Sequence, residues 1–388
     1  MSMIKVLFVA HSGTRLGGAT PALMSLMCML RDRYDVQPSL LIPAGDTSIL
    51  SECEQLGIPA YVGHYHSCCS VFHREARDVL RLVKLLTAPL LDRLSLSALD
   101  RSLPDEFDLI YTNDRMVIAG GYLARRRGIP HIWHVRAFGR EVHNIYPPFW
   151  SRLMNAHADR VVGISNAIID SLRPQVAEDK LRLIHDGLET DRYVELPRKP
   201  HEGFHILLTA HIVPLKGQME ALEAMNLLVN EKNIDAHLHF AGVVPAYGSR
   251  KYDRALKEYI RTHQLTERVH FLGQVSDMSD LRSRMDTELE CCWCEPFGRV
   301  TVEAMLSGLP VIGSKAGGTL DILEEGVSGL LYELHNPADL AEKLAWVYLH
   351  PAEAREMAVR GKQRALDCFT LERSVSNIHA LITDTVVE

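Results

Sequence analysis

The run Glu295-Pro296-Phe297-Gly298-Arg299-Val300-Thr301-Val302-Glu303-Ala304-Met305 carries a carboxylate on either side of a junction shaped by Pro296 and Gly298. A strand pattern ends near Cys292, and a helical pattern begins near Gly298. A helix start offers free backbone N–H groups and the positive end of the dipole, so it suits a phosphate. Glu295 before the helix and Glu303 in its second turn sit at different depths. They can accept hydrogen bonds from separate hydroxyls, as a nucleotide and its sugar would offer. Taken singly, each is explained as well by a solvated loop or helix glutamate; the whole string favours binding. Lys216 follows Pro214-Leu215 and precedes Gly217 and an amphipathic stretch. A cation there can neutralise a departing diphosphate, and loss of one such contact typically raises a barrier by ~3–4 kcal/mol. The competing reading is a solvated lysine at a helix start.

The Glu295/Glu303 string, followed by Ser307-Gly308-Leu309-Pro310-Val311-Ile312-Gly313-Ser314-Lys315-Ala316-Gly317-Gly318, resembles glycosyltransferase family 4 (group 1). Gly17-Gly18, His134, the Val162–Ser165 run and Lys216-Gly217 extend the resemblance over nearly the whole chain. It implies a GT-B fold and metal-free transfer of a sugar from a nucleoside-diphosphate donor with retention of anomeric configuration. By position, it implies that Glu303 binds the ribose and Glu295 the donor sugar. Amides around Phe297, Gly298 and Arg299 would meet the phosphates, and Lys216 the leaving diphosphate. Gly17-Gly18 would face the donor diphosphate or the acceptor, and His134 the reacting face of the sugar. Arg136 would contact acceptor or phosphate, and Gly317-Gly318 would form the nucleotide-side loop, with Asp321 where a glutamate is more usual. Read without the family, both glycine pairs serve equally well as chain turns, and a lone His134 as a structural histidine. Two departures stand out. Thr209-Ala210-His211 replaces the usual Gly-Arg, so His211 supplies that charge only when protonated. Asp186-Gly187-Leu188 replaces Asn-Gly-Val.

Other chemistries lack their residues. There is no Asp-x-Asp pair, the 19 histidines show no H-E-x-x-H spacing, and no G-x-G-x-x-G or Walker lysine occurs. Alternation along a strand would send Cys291, Cys292 and Cys294 to opposite faces, against a shared ion. No metal and no cofactor are expected. The net charge of −7 falls wholly on residues 196–388 and argues against nucleic acid as a partner. No apolar run approaches the roughly 20 residues of a membrane span. The opening run reads as a buried strand rather than a signal peptide, which points to a cytoplasmic protein. His73–Arg101 mixes Arg74, Arg77, Arg81, Lys84, Arg93 and Arg101 with leucines and valines. Such a segment suits an anionic membrane face, and so peripheral contact at the inner surface. It suits an ordinary solvated helix as well.

The residues with chemistry must be positioned by a repeating pattern of short apolar run, glycine-bearing turn and amphipathic segment, the signature of an α/β doubly wound sheet. Strands are expected at Ile4–Ala10, Val36–Ile42, Phe107–Tyr111, Ile129–Trp133 and Arg160–Ile164. After a break come Phe204–Ala210, Ala236–Gly242, Val269–Leu272, Glu288–Cys292, Pro310–Gly313 and Gly329–Tyr332. A helix is expected at Pro21–Arg31. At 388 residues with 47% apolar content, two Rossmann-like domains follow: 1–196 on the acceptor side and 204–370 binding the nucleotide-sugar. A terminal helix, 371–388, packs back on the first. The expected activity moves a hexose or N-acetylhexosamine to a saccharide or lipid-linked acceptor, as in surface polysaccharide assembly. An epimerase or phosphorylase of the same fold, or a non-catalytic partner that binds nucleotide-sugar or glycan, are the alternatives.

Overall fold

The computed structural model describes residues 3–14, 19–45, 47–66, 78–138, 149–193, 195–245 and 250–387. They divide into two compact units, 1–187 with 371–388, and 188–370. In the first, strands β1 (Ile4–Ala10), β2 (Val36–Pro43), β3 (Ala60–Gly63), β4 (Leu109–Asn113), β5 (His131–Val135), β6 (Arg160–Gly163) and β7 (Leu181–Leu183) form one parallel sheet. Its order is β3-β2-β1-β4-β5-β6-β7. Helices α1 (Ala19–Arg33), α2 (Leu50–Gln55), α3 (Asp78–Asp100), α4 (Ala119–Arg127), α5 (Phe149–His157) and α6 (Asn166–Leu172) connect the strands. The central strands are apolar because a parallel sheet is covered on both faces: Val6, Leu7, Phe8 and Val9 of β1 are all fully buried.

The second unit holds β8 (Phe204–Thr209), β9 (Ala236–Ala241), β10 (Val269–Gly273), β11 (Thr287–Glu290), β12 (Val311–Ser314) and β13 (Leu330–Tyr332), parallel in the order β10-β9-β8-β11-β12-β13. Around it lie α7 (Gln218–Asn226), α8 (Arg250–Thr262), α9 (Met278–Arg282), α10 (Arg299–Leu306), α11 (Thr319–Ile322), α12 (Pro337–Leu349) and α13 (Pro351–Cys368). The last helix, α14 (Leu371–Val387), returns to the first unit, where Val375, Ile378 and Ile382 join the core formed with β1, β2 and α1. Both sheets are doubly wound α/β.

Three sequence expectations shift. β4 and β5 each run two residues later than their apolar runs suggest, so His134 lies inside β5 rather than closing it. The short strands β3 and β7 were not expected; β7 is interrupted by Arg182, and β3 falls on an apolar run, residues 58–62, that sequence reasoning missed. Residues 188–203, expected partly as linker, belong to the second unit. Arg198 holds them there, donating to the carbonyls of Arg282 at 3.0 Å and Gly308 at 2.8 Å.

Candidate active site

In an open parallel sheet, ligands bind beyond the carboxyl ends of the strands, where the winding reverses. In the second unit that point lies between β8 and β11. The loop after β8 carries His211 and Lys216, and the loop after β11 carries Glu295 through Gly298. The two meet: Lys216 Nζ donates to Glu295 Oε2, and the Trp293 amide donates to the Leu215 carbonyl at 3.1 Å. Behind them sits Glu290, the last residue of β11, only 6% exposed. Burial lifts its carboxyl to about 7; Lys216 opposes that rise and Glu295 adds to it. Lys216 is partly buried, which alone would lower its pKa. The carboxylates of Glu295 and Glu290 outweigh the burial and hold it well above the usual ammonium range. The Cys292 thiol shares this corner, with one ligand atom each from Glu290, Cys292 and Glu295 lying within 4.8 Å of one another. Cys291 faces the opposite way, into the apolar core, as alternation requires.

Glycines let the loops close on one another. Gly217 has φ +68°, and a Cβ there would lie 2.2 Å from the Cys291 carbonyl oxygen. Gly317 has φ +56° and would place a Cβ 2.2 Å from the Glu295 carbonyl oxygen. Next to it, the Gly318 amide donates to that same oxygen at 2.7 Å. Gly317-Gly318 therefore buttresses the Glu295 loop.

α10 starts at Arg299 after Gly298, which caps it in the left-handed region without a side-chain bond. A helix start without a capping side chain suits an anion. The hydroxyls of Thr301 in that turn and Thr319 at the start of α11 are buried without a partner among the described residues. Phe297 is buried, its ring edge-on to Phe369 at 5.6 Å.

Glu303, one turn into α10, is held from two sides. Tyr193 Oη donates to its Oε1 at 3.2 Å, and Arg282 Nη2 to its Oε2 at 3.4 Å. Arg282, 2% exposed at the end of α9, is fixed by Glu288 of β11 through bonds of 2.8 and 3.3 Å. Sequence reasoning missed Tyr193, Arg282, Glu288 and Glu290. The available signal was the pattern Thr-Glu-Leu-Glu at Thr287–Glu290: two acids on one face of a strand buried throughout demand partners.

In the first unit, Gly17 and Gly18 lie outside the described residues. His134 is fully buried. Burial and the nearby Arg136 charge push its pKa well down, so it is neutral. Arg136 Nη2 lies 3.4 Å from its Nδ1 and Tyr111 Oη bonds the same atom. Arginine can only donate, so Nδ1 accepts and the proton sits on Nε2, which has no partner among the described residues. The His134 carbonyl accepts from the Asp114 amide at 2.7 Å. Arg136, expected to reach acceptor or phosphate, instead bonds Asp186 and Asn113 Oδ1, the latter at 2.7 Å, and is 7% exposed. That pair also gives the aspartate at the altered Asp186-Gly187 position its counter-charge. His211 is exposed; its carbonyl accepts from Gln218 Nε2 at 2.8 Å.

The model of "Glycosyl transferases group 1" matches residues 190–364, and that of "Glycosyltransferase Family 4" matches residues 17–192. The chain belongs to this GT-B family. It is 25% identical over 172 residues to the N-acetyl-alpha-D-glucosaminyl L-malate synthase of Bacillus anthracis, a match covering 44% of this chain and 43% of that protein. To D-rhamnosyltransferase WbpZ of Pseudomonas aeruginosa it is 27% identical over 236 residues, covering 58% and 59%. The matches thus span less than two thirds of these relatives. Among solved structures, Anabaena HepE in complex with UDP superposes with TM-score 0.80 at 23% identity, covering 98% of this chain and 100% of that one. The same protein with UDP-glucose gives 0.77. At that identity the likeness of this GT-B chain to HepE is one of fold.

Proposed function

We propose that the protein is a metal-independent retaining glycosyltransferase, moving a hexose or N-acetylhexosamine from a nucleoside diphosphate to a saccharide or lipid-linked acceptor. The observation that carries this reading is the Lys216–Glu295 pair, backed by Glu290, beside the uncapped start of α10 at the sheet's switch point. A diphosphate at the α10 start meets the positive end of that helix, and Lys216 exchanges Glu295 for a leaving phosphate oxygen. The bond from anomeric carbon to diphosphate breaks as that charge is neutralised. The acceptor oxygen attacks from the same face, and its proton passes to the departing diphosphate. Glu303 takes the ribose hydroxyls on the oxygens that Tyr193 and Arg282 orient. Glu295 takes the donor sugar, and the His134 Nε2–H supplies a neutral donor to a sugar hydroxyl. Metal independence is supported by charge: the Glu290–Cys292–Glu295 cluster, whose spacing suits an ion, already holds the Lys216 ammonium.

The acceptor is read from α3. Val79, Leu80, Leu86, Leu91 and Leu94 on this helix are each at least half exposed, and the sequence interleaves Arg81, Lys84 and Arg93. No described helix is long and apolar enough to cross a membrane. An exposed apolar face with cations suits lying on an anionic leaflet, which supports a lipid-linked acceptor in surface polysaccharide assembly.

The test is thermal unfolding with UDP-, GDP-, ADP- and dTDP-sugars in EDTA. One of them at a hundred times Kd should add ~2.7 kcal/mol. Glu303→Ala should abolish the shift, while Glu295→Ala keeps nucleotide binding and loses transfer. An unchanged shift in Glu303→Ala removes the ribose role, and a shift that needs divalent metal removes metal independence.

A further inference from the structure

Pro214 and Gly217, which bracket the Lys216 loop, also line a separate cavity of about 270 Å3. Its other walls are Glu220 and Glu223 of α7, Tyr252 of α8, and Trp293 and His335. Neither Lys216 nor Glu290, Glu295 or Glu303 lines it.

Glu220 is the unusual member. It is 6% exposed, and both carboxylate oxygens are buried without a hydrogen-bond partner among the described residues. The nearest base is the His335 ring, with Nδ1 at 3.9 Å. Backbone amides of His335 and Asn336 temper its charge without reaching hydrogen-bond geometry on it, and burial prevails, raising its pKa. A carboxylate removed from water and left without donors is costly unless something supplies them. Glu223 stands one turn along the same helix and adds a second negative charge to the cavity.

The remaining walls are aromatic and fixed. Tyr252 Oη accepts from the Met219 amide at 3.1 Å and donates to Gln218 Oε1 at 3.3 Å, which pins its ring. His335 has φ +61°, the left-handed region. Its ring meets Trp293 edge-on at 5.1 Å and 78°. Non-glycine residues held in that region persist where the surroundings over-determine them, often at ligand clamps. Trp293 remains 42% exposed, an open aromatic face beside two carboxylates.

We propose that this cavity binds a primary alkylammonium group, whose N–H donors satisfy Glu220 while its charge lies against the Trp293 and Tyr252 rings. An ammonium supplies three donors and no acceptor, and attraction to aromatic faces adds to the pairing. The volume is below the roughly 300–1,000 Å3 of drug-sized sites, so it admits a side-chain-sized amine rather than a nucleotide-sugar. Because the Trp293 amide is bonded to the Leu215 carbonyl, occupancy bears on the loops of Lys216 and Glu295. The cavity itself exists whether or not the neighbouring site transfers sugar.

Trp293 supplies the readout. Titrating the full chain with n-butylammonium should change tryptophan fluorescence saturably, and Trp293→Phe should remove that change. Butan-1-ol, of similar shape without charge, should bind at least tenfold more weakly, and so should tetramethylammonium, which has no N–H. Glu220→Gln should weaken n-butylammonium at least tenfold yet keep the thermal shift given by whichever nucleotide-sugar the wild type binds, showing an intact fold. Equal binding of n-butylammonium and butan-1-ol, or unchanged affinity in a folded Glu220→Gln protein, overturns the proposal. The wild-type comparison decides alone if that variant does not fold.

Discussion

Glu288 and Glu290 flank Leu289 on a strand with no exposed residue, and each is tolerated only because a cation was brought to it. Arg282 serves Glu288 through Nε and Nη2 and shares Nη2 with Glu303; Lys216 serves Glu290 and Glu295. Removing one member of a buried pair typically costs about 3–5 kcal/mol, whereas replacing both by apolar groups of similar volume is often neutral. Arg282→Ala should therefore destabilise by about that amount in urea melts. The double variant Arg282→Met/Glu288→Leu should recover most of the stability but not donor affinity, because Glu303 loses its orienting bond. Recovery of both would reduce Arg282 to a packing residue. Lys216→Met should slow transfer about 100- to 1,000-fold. It should also destabilise more at pH 8 than at pH 6, since Glu290, at about 7 beside Lys216, is ionised against that cation at pH 8 in the wild type and has no such partner in the variant.

At the scale of elements, the candidate site depends on loops that touch at backbone distance. Gly317→Ala adds a collision with the Glu295 carbonyl to the strain of φ +56°, which costs of order 1–3 kcal/mol in itself. Gly57→Ala is the matched control, with φ +66° and no atom within 4 Å of the added Cβ. Both should lower stability, and only Gly317→Ala should also weaken nucleotide-sugar binding in the thermal-shift assay. Equal donor binding by the two would mean the Glu295 loop tolerates displacement. α3 makes a different prediction. Leu80→Glu/Leu86→Glu/Leu94→Glu changes only exposed positions, so folding should be retained. Sedimentation with phosphatidylglycerol vesicles should be lost, and wild-type protein that fails to sediment with them would sink the membrane reading.

Over the whole molecule, charge is uneven, and the second unit holds an unusual stack. His205, His237, His239 and His270 occupy the face of β8–β10 opposite the core, with neighbouring rings 4.7 to 5.6 Å apart. Burial first, and then the charges of His270 and His205, lower His239 from 6.5 to about 3. Between those values the unfolded chain binds a proton that the native chain refuses, so stability falls as pH falls through the window. His239→Gln should flatten the acid limb of unfolding by up to ~1.4 kcal/mol per pH unit, less after screening of a partly exposed ring. Urea melts from pH 4.5 to 7 check it, and identical slopes would show that the ring titrates normally in the fold.

Much was already written in the order of residues. Apolar runs such as Ile4–Ala10 and Phe204–Thr209 read as covered strands, and their repeated alternation with amphipathic segments gives the doubly wound class. The local string Glu295–Glu303 fixes a loop before a helix start, since Pro and Gly act within a few bonds of themselves. What no spacing could reveal is which distant charge answers which. Arg136 pairs with Asp186, Arg282 reaches Glu303 across two elements, and both Glu220 oxygens are left without a hydrogen bond among the described residues. Those outcomes depend on burial and on side chains from separate strands converging, and only the folded chain sets either.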